Sequence, residues 1–202
     1  MATQWTTPKL QGRHVQLAPL ASTHADGLRI AAMDGELWAL RFTSVPGPAL
    51  ADVEAYVAAA LAMRDAGTAL PFAVLDQEGR VVGSTRLYGL EPSVPRVLIG
   101  YTWYAGRVQR TALNTEAKLL LLGHAFDALG CESVAFETSH ENLRSQAAIQ
   151  RLGARRDGIL RANARHRDGS LRDTHAFSIL RGEWPQVRAN LAERLKANEV
   201  TA

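Results

Sequence analysis

Apolar residues change their spacing several times along this chain, and each change marks an element. From His14 to Leu20 they alternate with polar residues and end at a proline-bearing turn, the pattern of a half-buried strand. Ala21 to Met33 then reads as a helix capped by Ser22 or Thr23, and Glu36 to Phe42 as a further short helical turn. After Pro46 and Pro48, Asp52 to Ala66 takes helical spacing and Gly67 closes it. The period then drops to that of strands. Pro71 to Asp76 and Arg80 to Leu90 are separated by Gln77, Glu78 and Gly79 as a hairpin connection. Arg96 to Tyr104 follows the Pro92 to Pro95 turn as another strand.

In the second half strands and helices alternate. Asn114 to Leu129 is the longest helix, with Leu119 to Leu122, Phe126 and Leu129 spread over several sides, which predicts burial. Ser133 to Thr138 is a strand, and Asn142 to Leu152 a helix with Asn142 at its cap and Gly153 just past its end. Ala154 to Leu160 and Leu171 to Leu180 read as strands joined around Asp168 and Gly169. A final helix, Glu183 to Asn198, carries Val187, Leu191 and Leu195 on one stripe, which either packs on its own domain or mediates a dimer. The order β-α-α-β-β-β-α-β-α-β-β-α predicts an α/β (α+β mixed) fold, a mixed sheet with helices on both faces.

Composition narrows the class. A chain of 202 residues, 47% hydrophobic and 21% charged, has the make-up of one folded domain over residues 1–202. The longest aliphatic stretch, Leu119 to Leu122, falls far short of the ~20 residues of a membrane span. Met1 to Lys9 lacks a signal-peptide pattern, and the single cysteine, Cys131, excludes intrachain disulfides, so a cytoplasmic protein that needs no metal and no membrane is expected. Of 23 basic residues only Lys9, Lys118 and Lys196 are lysines. Arginine forks suit anionic ligands, but no basic run is interleaved with aromatics, so nucleic acid is not an expected partner. Trp5, Trp38, Trp103 and Trp184 read mainly as core, with Trp103 also placed to line a pocket.

Two segments carry candidate chemistry. In Gly100-Tyr-Thr-Trp-Tyr-Ala-Gly-Arg-Val-Gln-Arg-Thr-Ala-Leu-Asn-Thr-Glu-Ala-Lys118 a strand turns directly into the longest helix, whose free amides and dipole offer a place for a pyrophosphate beside Arg107 and Arg110. The glycine spacing of a Walker loop or a dinucleotide fingerprint is missing, so neither ATP nor NAD fits. In Glu137-Thr-Ser-His-Glu-Asn-Leu-Arg-Ser145, a strand and polar turn lead into a helix with Asn142 and Ser145 on adjoining first-turn positions.

Together these segments resemble the GNAT acetyltransferase superfamily, in particular the ribosomal-protein N-terminal acetyltransferases of RimJ and RimL type. Leu10 to Leu20, Gly83-Ser-Thr-Arg-Leu87, Gly158 to Arg161, Arg172 to Leu180 and Glu183-Trp184 are similar to successive parts of that branch. The resemblance implies a mostly antiparallel sheet splayed at a CoA cleft. It places acetyl-CoA, as co-substrate, with its pyrophosphate on Gln109, Arg110, Thr111, Ala112, Leu113, Asn114 and Thr115. Ala112 and Asn114 depart from the family's glycine-type positions; Asn114 is expected to cap the helix instead. The pantetheine arm would pair with backbone near Tyr101, Thr102 and Trp103 and with Asn142, and Ser145 would protonate the departing thiolate, with Tyr104 or solvent as substitutes.

The implied acceptor is a primary amine, on a protein N-terminus, an amino acid, a polyamine or an antibiotic. His166, His140, Glu141 or a water relay would take its proton. A non-catalytic acyl-CoA sensor on the same fold, monomeric or homodimeric like the enzyme, is the alternative.

Overall fold

The computed structural model describes residues 5–200, with side chains as far as Ala197; the sequence reading of Met1 to Lys9 therefore lies partly outside the described residues. Eight strands form one sheet: β1 (Leu10–Gln11), β2 (Gln16–Pro19), β3 (Ala69–Leu75), β4 (Val81–Glu91), β5 (Arg96–Tyr104), β6 (Ser133–Ser139), β7 (Arg155–Arg165) and β8 (Leu171–Leu180). Their spatial order is β1-β2-β3-β4-β5-β6-β8-β7. Every neighbouring pair is antiparallel except β5 and β6, which run parallel. The helices are α1 (Ala25–Met33), α2 (Leu50–Asp65), α3 (Ala112–Gly123), α4 (Leu143–Leu152) and α5 (Trp184–Val200). This is the mixed, mostly antiparallel architecture the sequence predicts.

Side-chain alternation along β5 shows how the layers form. Thr102 meets Lys118 of α3, and its neighbour Trp103 meets Tyr56 of α2. One hydrophobic cluster runs through both layers, with Phe72, Phe126, Phe136 and Phe177 among its fully buried side chains. The stripe on α5 belongs to it. Val187 and Leu191 are buried and Leu195 is half-buried, while Trp184 at the start of the helix stacks on Phe126 at 5.5 Å and donates from Nε1 to Asp127, so the first two positions of the stripe pack on their own domain.

Local chemistry moves several boundaries. Glu36 to Phe42 condenses to one tight turn, Leu37–Ala39. The entry to α1 is a similar turn, Ser22–His24, in which neither Ser22 nor Thr23 caps. The His24 ring takes that place, its Nδ1 accepting from the Ala21 amide at 3.0 Å. β7 runs on to Arg165 because a bulge at Ala162, with φ +48°, is held by Asp173 accepting from its amide. The helix expected from Asn114 begins at Ala112, capped by Thr111, and continues past Gly123 as a π turn, His124–Ala128.

Candidate active site

A cleft opens where the sheet's one parallel pair parts. β5 and β6 pair only from Arg96–Ser133 to Leu98–Ala135. Beyond that point β5 continues to Tyr104 and β6 to Ser139 without pairing to each other, which leaves β5 with free backbone groups along one edge. A bulge in β5 sharpens the bend. Ser84 faces Trp103 and Arg86 faces Gly100, so Thr85 alone opposes both Tyr101 and Thr102. Tyr101 takes φ +51° there, a conformation costly for a bulky residue. Aromatic packing holds it: Tyr88 lies edge-on at 5.2 Å and the Arg86 guanidinium sits 4.2 Å from its ring.

The far end of β5 delivers the chain into α3. Thr111 Oγ1 accepts from the Leu113 amide and donates to the Val108 carbonyl at 2.8 Å, which fixes the helix start. Asn114 is consequently a first-turn residue and not the cap, and Ala112 is helical with negative φ. The left-handed backbone of this loop falls on Arg110, at φ +63°. Gln109 is pinned by Nε2 donating to the Tyr104 carbonyl, and its Oε1 accepts from Arg144 of α4. Gln109 through Thr115 thus bracket the amino end of α3, and the Gln109–Arg144 contact ties that end to α4.

α4 starts at the mouth of the cleft. The Asn142 side chain accepts from the Ser145 amide at 3.0 Å, the capping contact the sequence predicts. Both residues are half-buried or more exposed, and Ser145 Oγ has no hydrogen-bond partner among the described residues. The other expected site residues divide. Tyr101 is exposed and Thr102 half-buried, whereas the Trp103 side chain belongs to the core, donating to the Tyr56 hydroxyl. The indole is thus held in the core, and the backbone of Trp103 is the part left at the edge of β5. Tyr104 is buried too, its hydroxyl without a partner among the described residues and its pKa pushed up by burial, so it makes a poor substitute for Ser145.

The three candidate proton acceptors gather in one cluster. His166 is buried, with Nε2 3.0 Å from Ser139 Oγ and Nδ1 3.3 Å from Ser170 Oγ, rather than in an open loop. His140 stacks on it at 5.9 Å. Glu141 is bound through both oxygens by Arg41, which holds its pKa below the ordinary carboxylate value. Arg41 also reaches Asp168 at 2.9 Å. The network joins the segment after α1 to the β7–β8 hairpin and the start of α4.

Among the buried polar residues that escaped the sequence reading are Glu116, Arg86 and Lys118. Glu116 of α3 accepts from the amides of Arg13, His14 and Val15, and a Cβ on Gly12 would collide with its carboxylate. Arg86 is described below. Lys118 donates to Thr102 Oγ1 at 3.0 Å, and Thr102 in turn meets Thr85 at 2.7 Å, which braces both sides of the bulge. The scarcity of lysine was the available signal. Burial can strip the proton from a lysine but not from an arginine, and it lowers the Lys118 pKa from 10.5 to about 7.

A depressed lysine pKa means that the unfolded chain binds a proton the folded one resists. Its stability penalty is therefore largest at and below pH 7 and fades as pH rises toward 10. Lys118→Met should raise the melting temperature near pH 7 and lose that advantage near pH 10. Thermal melts of both proteins across this window check it; a constant offset would mean that the lysine is already charged when folded. Cys131 is equally buried, its thiol pushed up to about 11, so at neutral pH it remains a protonated structural thiol.

A split sheet beside a helix amino terminus is the frame of an acyl-CoA transferase, and comparison with known proteins specifies it. The profile of the acetyltransferase (GNAT) domain matches residues 14–155. A T. thermophilus protein assigned to the acetyltransferases is 36% identical, with a TM-score of 0.84 over 95% of this chain and 99% of that one. A GCN5-related N-acetyltransferase from Brucella melitensis is 30% identical, with a TM-score of 0.85 over 94% of this chain and 86% of that one. Mycobacterium smegmatis RimJ, solved with CoA-disulfide, shares the fold with a TM-score of 0.80 at 20% identity, covering 96% of this chain and 97% of that one. Among curated proteins no sequence matches significantly. The chain belongs to the GNAT acetyltransferase family. It is an N-acetyltransferase whose acetyl donor is acetyl-CoA, and nothing in the comparisons supports a non-catalytic sensor.

Among the described residues no helix is long and apolar enough to cross a membrane, and no cluster of histidine, cysteine and acidic side chains could hold a metal ion.

Proposed function

We propose that residues 1–202 form a single acetyltransferase domain that moves the acetyl group of acetyl-CoA directly to a primary amine in the β5–β6 cleft. The observation that carries this reading is the parting of β5 from β6 beside the free amides of α3. The residues present fit the donor. The amides of Ala112 and Asn114 at the α3 start, with Arg110 beside them in the chain, suit a pyrophosphate. The free edge of β5 at Tyr101 to Trp103 suits the amide-bearing pantetheine arm, with Asn142 reaching it from the opposite wall.

In the transfer, the amine nitrogen bonds to the thioester carbonyl carbon as the carbon–sulfur bond breaks. The amine gives up one proton, and the thiolate takes one. Ser145, whose hydroxyl has no partner among the described residues, is the proton donor in this reading. Glu141 is committed to Arg41 and His166 to two serines. His140 is engaged as well, its Nδ1 3.3 Å from both the amide and the carbonyl of Asp173 and its Nε2 3.8 Å from Glu141, so in this reading a water relay takes the amine proton.

Release of free CoA thiol from acetyl-CoA in the presence of a panel of amines tests the proposal directly. Turnover with at least one amine is expected, and binding of acetyl-CoA without turnover would refute it.

Asn142 has two roles here, as a helix cap and as a ligand of the arm. Asn142→Ala should cost about 1 kcal/mol of stability and should also weaken CoA binding. Titration calorimetry on the folded variant separates the two, and unchanged CoA affinity would leave Asn142 with the cap alone.

A further inference from the structure

Arg86 is buried, at 2% exposure, and pairs with no carboxylate among the described residues. The more exposed arginines Arg41, Arg64, Arg80, Arg107, Arg155, Arg181 and Arg188 each pair with a carboxylate. Arg86 instead lies between two rings, 4.7 Å from the centroid of Tyr56 and 4.2 Å from that of Tyr101. Its side-chain hydrogen-bond contact runs from Nη1 to Met63 Sδ at 3.3 Å, and its buried Nε has no partner among the described residues. Burying a cation without an anion is among the costliest arrangements a fold can keep. Cation–π contacts with two tyrosines offset only part of that cost.

The position of this cation explains what the cost maintains. Arg86 stands opposite Gly100, beside the Tyr101 bulge where the cleft bends. Tyr56, the other ring, lines an open recess of about 400 Å³ with Pro46, Gly47, Asp52, Ala55 and Arg167. Tyr56 is shared: its ring lines the recess and also packs on the guanidinium beside the bend. Two tyrosine faces hold the guanidinium plane, as a two-pronged contact with a carboxylate requires.

We infer that the acceptor amine carries a carboxylate within a few bonds of its nitrogen and that Arg86 binds this carboxylate. The inference rests on acetyl transfer occurring in the β5–β6 cleft. Two acceptor types satisfy the chemistry: a free α-amino acid, and a peptide whose first residue is Asp or Glu.

The test compares matched amines in the CoA-release assay, leucine against leucinamide and a tripeptide beginning with Asp against the same tripeptide beginning with Asn. One carboxylated member should be preferred roughly 10–100-fold in kcat/KM, and which pair shows the preference identifies the acceptor type. Arg86→Met should abolish that preference by slowing the carboxylated member alone, while leaving the melting temperature equal or higher. Equal rates within both pairs, or an equal loss on both members in the variant, overturn the role of Arg86 but leave acetyl transfer intact. If no amine is turned over, acetyl transfer itself fails. The comparison of amines with the natural protein decides the matter even if Arg86→Met does not fold.

Discussion

Replacing Ser145 by alanine should slow turnover roughly 10–10³-fold, within the range a single positioned proton donor supplies. Its hydroxyl has no partner among the described residues, and its own amide is held by Asn142, so the side chain is oriented without being consumed. Negative charge reaches the CoA sulfur only as the carbon–sulfur bond breaks. An interaction made only at that stage lowers kcat and kcat/KM together and leaves CoA affinity unchanged. Steady-state kinetics with a good amine, alongside calorimetric CoA binding, measure both quantities. A folded variant with natural kcat would remove Ser145 from the mechanism. A variant that lost CoA affinity and kept kcat would make it a binding residue.

The second large effect concerns stability. Glu116→Ala should destabilise the protein by about 3–5 kcal/mol, because it strands three backbone amides that the carboxylate now satisfies at 2.9, 2.6 and 2.9 Å. For a chain of this size that corresponds to a fall of roughly 10 °C in melting temperature. Glu116→Gln keeps an acceptor oxygen but turns an NH₂ toward the remaining donors, so it should lie between the two. Thermal or urea unfolding of the three proteins gives the order. A loss under ~1 kcal/mol in the alanine variant would show that water replaces the carboxylate. The same contact joins the amino end of α3 to the β1–β2 turn, so CoA binding should weaken in parallel with stability.

Elements with strong periodicity or a distinct cap were legible from the residues. The β3–β4–β5 meander, the Asn142 cap of α4 and the stripe of α5 are all local patterns that survive folding unchanged. Boundaries set by a partner were not. Thr111 outcompetes Asn114 because its hydroxyl also finds the Val108 carbonyl, and His24 outcompetes Ser22 and Thr23 through a ring nitrogen that no capping rule anticipates. The extension of β7 depends on Asp173, eleven residues away on the neighbouring strand.

The sequence by itself determined the order of strands and helices except the two-residue strand β1, which is too short to show a period, together with the loop that leads into α3 and the family resemblance carried by ordered motifs, since these rest on spacing within short stretches of chain. Only the tertiary structure decided where β5 leaves β6, which of the candidate proton acceptors is already engaged, and that Arg86, Glu116 and Lys118 lie buried. A charged residue has the same letter whether water or protein surrounds it. Its energetic role is set by neighbours distant in the chain: the amides of residues 13–15 for Glu116, Thr102 for Lys118, and two tyrosine rings for Arg86.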